Sequence, residues 1–191
     1  MRIEALLVGR VGAVRLLIAT LVLLGCGTPA PSDAETTKRA QAALAPFKSS
    51  LKEALLAELK KSTVAAVEVC STKAPELATE ASKNGVKVGR SSERLRSTKN
   101  APPQWLEPTM KELALAPAEP IASRVVDLGG GRRGYAEAIR IEAPCLLCHG
   151  ATIAPEVEAA INERYPTDQA RGYAVGDFRG VFWAELEPVS P

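Results

Sequence analysis

The segment Cys145-Leu146-Leu147-Cys148-His149 constrains this chain more than any other, because His149 is its only histidine. Two intervening residues fold into a single turn, so both thiols face one way and the imidazole follows directly behind them. That spacing suits one covalent haem c, with Cys145 and Cys148 added across the two vinyl groups and His149 on the iron. A redox dithiol, half of a zinc site and coincidence are the competing readings. Zinc wants four Cys or His ligands, and once Cys26 is set aside only Cys70 remains to join these three. Nothing around the pair resembles a strand opening into a thioredoxin-type helix, which weighs against the dithiol.

A single histidine also excludes bis-histidine ligation within the chain. With Met1 removed in an export segment, the sixth position falls to Met110, the Cys70 thiolate, a lysine, a tyrosine, water, or nothing. Cys70 follows the apolar-rich Val64-Ala65-Ala66-Val67-Glu68-Val69 at the end of a helical pattern, where a core-facing thiol could look onto a buried cofactor. The plainer role for such a cysteine is that of a small buried hydrophobe, and a lone methionine in an amphipathic segment is ordinarily core.

The N-terminus reads as a processing signal. Arg2, Arg10 and Arg15 precede an apolar run, Leu16 to Leu24, too short to stay in a bilayer as a spanning helix. The run ends in Leu23-Leu24-Gly25-Cys26, which resembles a bacterial lipobox, so residues 1–25 are expected to be a lipoprotein signal peptide and Cys26 the lipidated residue. Ordinary signal cleavage or an uncleaved anchor are the alternatives, and either keeps the domain outside the cytoplasm. Residues 26–34 are small and turn-forming, as in a flexible tether, and 35–191 form a single expected domain. Removing 1–25 leaves 21 basic and 21 acidic residues. A neutral chain with 4% aromatics lacks the electrostatic footprint of a nucleic-acid binder. The expected setting is periplasmic or extracytoplasmic, lipid-anchored to a bacterial membrane. A redox partner protein is expected there, with a homodimer as a further expectation.

Along the domain, Leu44, Phe47, Leu51, Leu55 and Leu59 recur every three or four residues within an Ala, Leu, Lys and Glu-rich stretch. That predicts a long amphipathic helix from Glu35 to about Val69, which Pro46 either starts or kinks. A short helix is predicted from Pro75 to about Lys83, ending at Asn84-Gly85, and residues 86–109 read as a loop. A helix over about Glu107 to Leu115 precedes two strands, Ile121 to Leu128 and Tyr135 to Ile141, paired across Gly129-Gly130-Gly131. Pro155 to Arg164 reads as a helix and Phe178 to Leu186 as a last strand. No repeat or second domain is visible.

Several blocks of this sequence resemble the periplasmic single-haem domains of PAS-like fold, a family long known only as a domain of unknown function. The resemblance covers roughly residues 35–188. It rests on Ala66-Val67-Glu68-Val69-Cys70, on Val88-Gly89-Arg90-Ser91-Ser92 with Arg96, Asn100, Pro102 and Trp105, on Cys145 to Gly150, on Tyr165-Pro166-Thr167-Asp168-Gln169-Ala170-Arg171-Gly172-Tyr173, and on Gly176-Asp177-Phe178-Arg179-Gly180. It implies an α+β fold: a PAS-like antiparallel sheet flanked by helices, with a long N-terminal helix and one covalently bound haem. It also implies iron held by His149 and by Cys70. Where the family usually has Arg-Asn-Pro, this chain has Arg96-Ser97-Thr98, which alters the path expected for that loop. Family members occur as sensor regions and as free-standing cytochromes, and this chain is expected to be free-standing.

Histidine and thiolate ligation would stabilise ferric iron and give a low potential. The expected function is therefore electron transfer or redox sensing. The alternatives are a gas or small-ligand sensor in which Cys70 is displaced, and a peroxidase-like enzyme. Arg90, Arg96 and Arg179 are candidates to pair with the haem propionates, against the simpler role of solvated surface arginines. Tyr165, Asp168, Tyr173 and Asp177 are expected to fix a turn, and Trp105 and Trp183 to pack the core or the haem.

Overall fold

The computed structural model describes residues 31–188. The signal peptide, Cys26 and most of the tether lie outside the described residues. The first helix, α1 (Asp33–Leu59), starts two residues inside the expected tether because Ser32 caps it, its hydroxyl accepting from the Glu35 N–H at 3.2 Å. Ala40, Leu44, Phe47 and Leu51 form its buried stripe, each large side chain worth about 1.5–3 kcal/mol on burial. The helix runs through Pro46 rather than starting there.

The predicted helix to Val69 is interrupted at residues 60–62. Ser62 accepts from the Ala65 N–H at 3.0 Å and so caps a new helix, α2 (Thr63–Glu68). This one loosens into a π turn, Val69–Lys73, before α3 (Ala74–Ala81). Cys70 therefore sits inside a π turn, not at the end of the long first helix. None of the described helices is long and apolar enough to cross a membrane.

Residues 86–91, expected in a loop, form strand β1 (Val86–Ser91). Its alternation is masked by Gly89, which has no side chain because the Trp183 indole lies over it, at 2.5 Å from where a Cβ would stand. After α4 (Leu106–Leu115), strands β2 (Ser123–Gly129) and β3 (Arg132–Arg140) form the expected hairpin across three glycines of positive φ. The short α5 (Leu146–His149) and α6 (Pro155–Arg164) lead to β4 (Phe178–Leu186). All pairings are antiparallel, in the order β1-β4-β3-β2. The fold is thus α+β, a four-stranded antiparallel sheet with a long N-terminal helix.

Helix α1 packs on this sheet, where Leu44, Phe47 and Leu51 share a core with Val88, Tyr135 and Leu186. Helix α4 packs Leu106, Met110 and Leu113 against Ala136, Val181 and Trp183. Met110 is a core residue in a cluster that contains none of Cys145, Cys148 and His149. Trp105 donates to Glu185 at 2.7 Å and Trp183 to Ser91 at 3.0 Å, so both tryptophans tie helix or strand to the sheet.

Gly180 fixes how β1 leaves the sheet. Its φ is 147°, and a Cβ there would stand 2.2 Å from the Ser91 carbonyl oxygen. Gly180→Ala should destabilise the fold by about 2–4 kcal/mol, read as a lowered midpoint in chemical denaturation. An unchanged midpoint would mean that the approach of β4 to Ser91 is easily relaxed.

Candidate functional site

A tight turn, Ala143–Cys145, carries Cys145 and leads straight into α5, which carries Cys148 and His149. Gly150 ends it, and only glycine fits, since a Cβ would meet the Leu146 carbonyl oxygen at 2.7 Å. The chain then bridges to a distant segment: Gly172 N–H donates to the Gly150 carbonyl at 2.9 Å and Tyr173 N–H to the His149 carbonyl at 3.0 Å. All three cysteines of the described residues are free thiols of intermediate exposure. Burial pushes the Cys148 thiol up from its ordinary range.

The His149 ring is oriented by one hydrogen bond, from Nδ1 to the Ala170 carbonyl at 2.7 Å. A carbonyl oxygen only accepts, so Nδ1 carries the proton and Nε2 keeps its lone pair. Burial, with the Arg96 and Arg179 charges behind it, holds the ring's pKa down at about 3, so the imidazole is neutral. Tyr173 stands edge-on to it, with ring centroids 6.2 Å apart.

Ala170 is itself held by a buried ion pair. Arg96 Nε donates to Asp168 Oδ1 at 3.1 Å, and Arg96 Nη2 reaches the Cys148 carbonyl at 2.5 Å and the Ala170 carbonyl at 3.1 Å. Asp168 in turn accepts from the Ala170 N–H at 2.9 Å and from Arg171 Nε at 2.8 Å. Burial would raise the Asp168 carboxyl, but the hydrogen bonds from Arg96, Ala170 and Arg171 outweigh it and hold the pKa below the usual range. Arg96 is thus already paired with Asp168, unlike the other two arginines expected to reach for propionates. Its departure from the family pattern at Ser97-Thr98 leaves a short helical turn, Thr98–Asn100, capped by the Ser97 hydroxyl.

Arg90 and Arg179 behave differently. Asp168 is shared by Arg96 and Arg171, and among the described residues no carboxylate lies within ion-pair distance of Arg90 or Arg179. Burial, with Arg90 and Arg96 nearby, lowers the Arg179 pKa to about 10 against the opposite pull of Tyr173. Arg94 and Arg179 lie over the Tyr173 ring, 4.1 and 5.6 Å from its centroid.

Cys70 is brought toward the motif through the helix that carries it. Val67, less than one turn earlier, packs with Ile161, Tyr165 and Cys148. Cys70 and Arg90 line a cleft of about 400 Å³, with Phe47, Val88, Pro102 and Trp183 among its apolar walls. A second cleft of about 380 Å³ runs past Arg96, Tyr165 and Ser71, and Ser71, Ser97 and Lys99 border both. No group of three or more His, Cys, Asp or Glu that could hold a bare metal ion occurs among the described residues. The donors present fit a haem instead: two adjacent thiols, one neutral imidazole with a free nitrogen, and two guanidiniums lacking an anion.

Sequence reasoning placed Asp168 and Asp177 as turn-fixing residues, and they are: the Asp177 carboxylate accepts from Ala174 N–H at 2.8 Å. It missed the Ala170 carbonyl, since a backbone acceptor leaves no mark in the side-chain pattern. It also missed that Tyr165 and Ser71 border one cleft, because the two are far apart in sequence.

The family model described as Tll0287-like matches residues 30–186. A solved structure, the crystal structure of the cyanobacterial heme-protein Tll0287, has the same fold with a TM-score of 0.60 and 23% identity. The alignment covers 84% of this chain and 98% of that one. No curated protein matches significantly. With most of its length inside the family's pattern, the chain belongs to the Tll0287-like family.

Proposed function

We propose that this protein is an exported monohaem c-type cytochrome of PAS-like architecture, working in low-potential electron transfer or redox sensing. The observation that carries the reading is the His149 ring, whose Nδ1 is committed to Ala170 and whose Nε2 is left free. Imidazoles that bind metal are oriented through their other nitrogen in this way. A relative of known structure is described as a heme-protein, and shared family membership supports the same group here.

On this reading Cys145 and Cys148 hold the porphyrin through thioether bonds and His149 ligates the iron. Cys70, lining the larger cleft, is the sixth ligand. The haem supplies a one-electron ferric/ferrous couple. A thiolate at Cys70 adds negative charge that favours the ferric side. Arg90 and Arg179 offer two unpaired guanidiniums, matching the two propionates in number, and each would gain the anion it lacks. Arg96 stays with Asp168 and keeps His149 aimed. A second reading, a gas or small-ligand sensor, is favoured by the π turn around Cys70, because such turns recur at functional sites and a thiolate leaves once protonated.

The matured protein should keep its pigment through denaturation and acidified acetone, and Cys145→Ser/Cys148→Ser should release it. The ferric protein should give a low-spin thiolate electron paramagnetic resonance signal that Cys70→Ser abolishes. Colour lost to acetone would end the covalent assignment, and an unchanged signal in Cys70→Ser would remove the sixth ligand.

Asp168→Asn should cost about 3–5 kcal/mol, because it strands a buried Arg96. Since the folded pKa of Asp168 is depressed, its stabilisation is complete above the ordinary carboxyl pKa of about 4 and fades as pH falls through the lower folded value. Denaturation midpoints of the two proteins should therefore converge in strong acid, and a constant gap would contradict this.

The protein is proposed to lie outside the cytoplasm, held to the membrane by lipid on Cys26, where it meets a redox partner protein. Cys26→Ala should move it from the membrane fraction to the soluble or signal-retained pool, and an unchanged distribution of mature protein would argue against the anchor.

A further inference from the structure

The Ala170 carbonyl serves two donors. It accepts the Nδ1 proton of His149 at 2.7 Å, and it also accepts from Arg96 Nη2 at 3.1 Å. A carbonyl oxygen has two lone pairs, so both bonds form at once. They are not independent, because a cation on one lone pair draws electron density away from the other, and the imidazole N–H then meets a weaker acceptor. Arg96 is fixed in this place by its remaining partners. The same Nη2 donates to the Cys148 carbonyl at 2.5 Å and Nε to Asp168 Oδ1 at 3.1 Å, with Asp168 Oδ2 a longer contact, 3.3 Å from Nη2. Only 8% of the side chain is exposed, so the guanidinium has little solvent to turn to.

An imidazole whose Nδ1–H is strongly bonded takes on imidazolate character and donates more electron density through Nε2. We propose that Arg96 is a positioning residue that also sets the donor strength of His149: by sharing the Ala170 carbonyl it keeps the ring close to plain imidazole and lifts the reduction potential of the centre. Holding that carbonyl in place would take only a neutral donor, and the cation weakens it as an acceptor besides. The inference rests on the reading of His149 as an iron ligand. On that reading the Cys70 thiolate favours the ferric state and Arg96 opposes it.

Because His149 is the only histidine, isotope labelling of histidine nitrogen gives one imidazole. Its Nδ1 proton can be followed by magnetic resonance in the ferrous holoprotein under carbon monoxide, which is low-spin whether or not the sixth ligand leaves. That resonance and the midpoint potential are compared in wild type, in Asp168→Asn and in Arg96→Met/Asp168→Asn, which removes the ion pair as a neutral unit. In the double variant the Nδ1 proton should move downfield, the direction of a stronger hydrogen bond. Its ferrous-to-ferric ratio at a fixed solution potential should fall about fivefold, the scale of one hydrogen bond, or about 40 mV for one electron. Arg96→Gln/Asp168→Asn, with a neutral amide in place of the cation, should show both shifts in smaller measure, and Asp168→Asn alone should leave the proton where it is. A fall in potential with the proton unmoved would assign the effect to the general field, and an equal movement in Asp168→Asn would assign it to the carboxylate. Double variants that match wild type in both readouts would leave Arg96 a purely structural residue. Any of these three results overturns the proposal. The reading beneath it fails separately: a ligating imidazole has its ring protons carried far upfield by the porphyrin, and wild-type signals at ordinary positions would remove His149 from the iron.

Discussion

The guanidinium of Arg96 and the carboxylate of Asp168 meet with 8% and 1% of their side-chain surface exposed, and the rest of the site hangs from that meeting. A buried ion pair adds little net stability, because desolvation offsets most of the attraction. Its worth lies in what else the two groups bind. Arg96 takes the carbonyls of Cys148 and Ala170, and Asp168 takes the Ala170 N–H and Arg171. Three stretches distant in sequence are thereby set against one another, and the imidazole between them has one allowed orientation.

How much of this was legible depended on whether the cause was local. The motif at 145–149, the glycine hairpin and the proline-started α6 carry their signals within a few residues, and each lies where the sequence put it. The break after Leu59 is also local, but its signal, Ser62, is masked because lysines and alanines continue the helical composition across it. Strand β1 could not be read so, since Gly89 is explained only by an indole about ninety residues later.

The arginines show the same division more sharply. Arg90, Arg96 and Arg179 look alike in sequence, yet one is neutralised by a carboxylate 72 residues away and the other two are not. Partner identity, not residue type, separates the arginine that builds the scaffold from those with charge to spare. The π turn at Cys70 is likewise invisible in composition. It lies between α2 and α3, over Val69–Lys73.

The sheet order leaves β1 and β2 at the two margins, with unpaired backbone groups along each. Lys87 stands exposed on the first, and Arg124 and Asp127 lie on the second. A neighbouring molecule that tried to extend the sheet by adding its own strand would have to desolvate these charges, so they discourage lateral growth into a ribbon of chains.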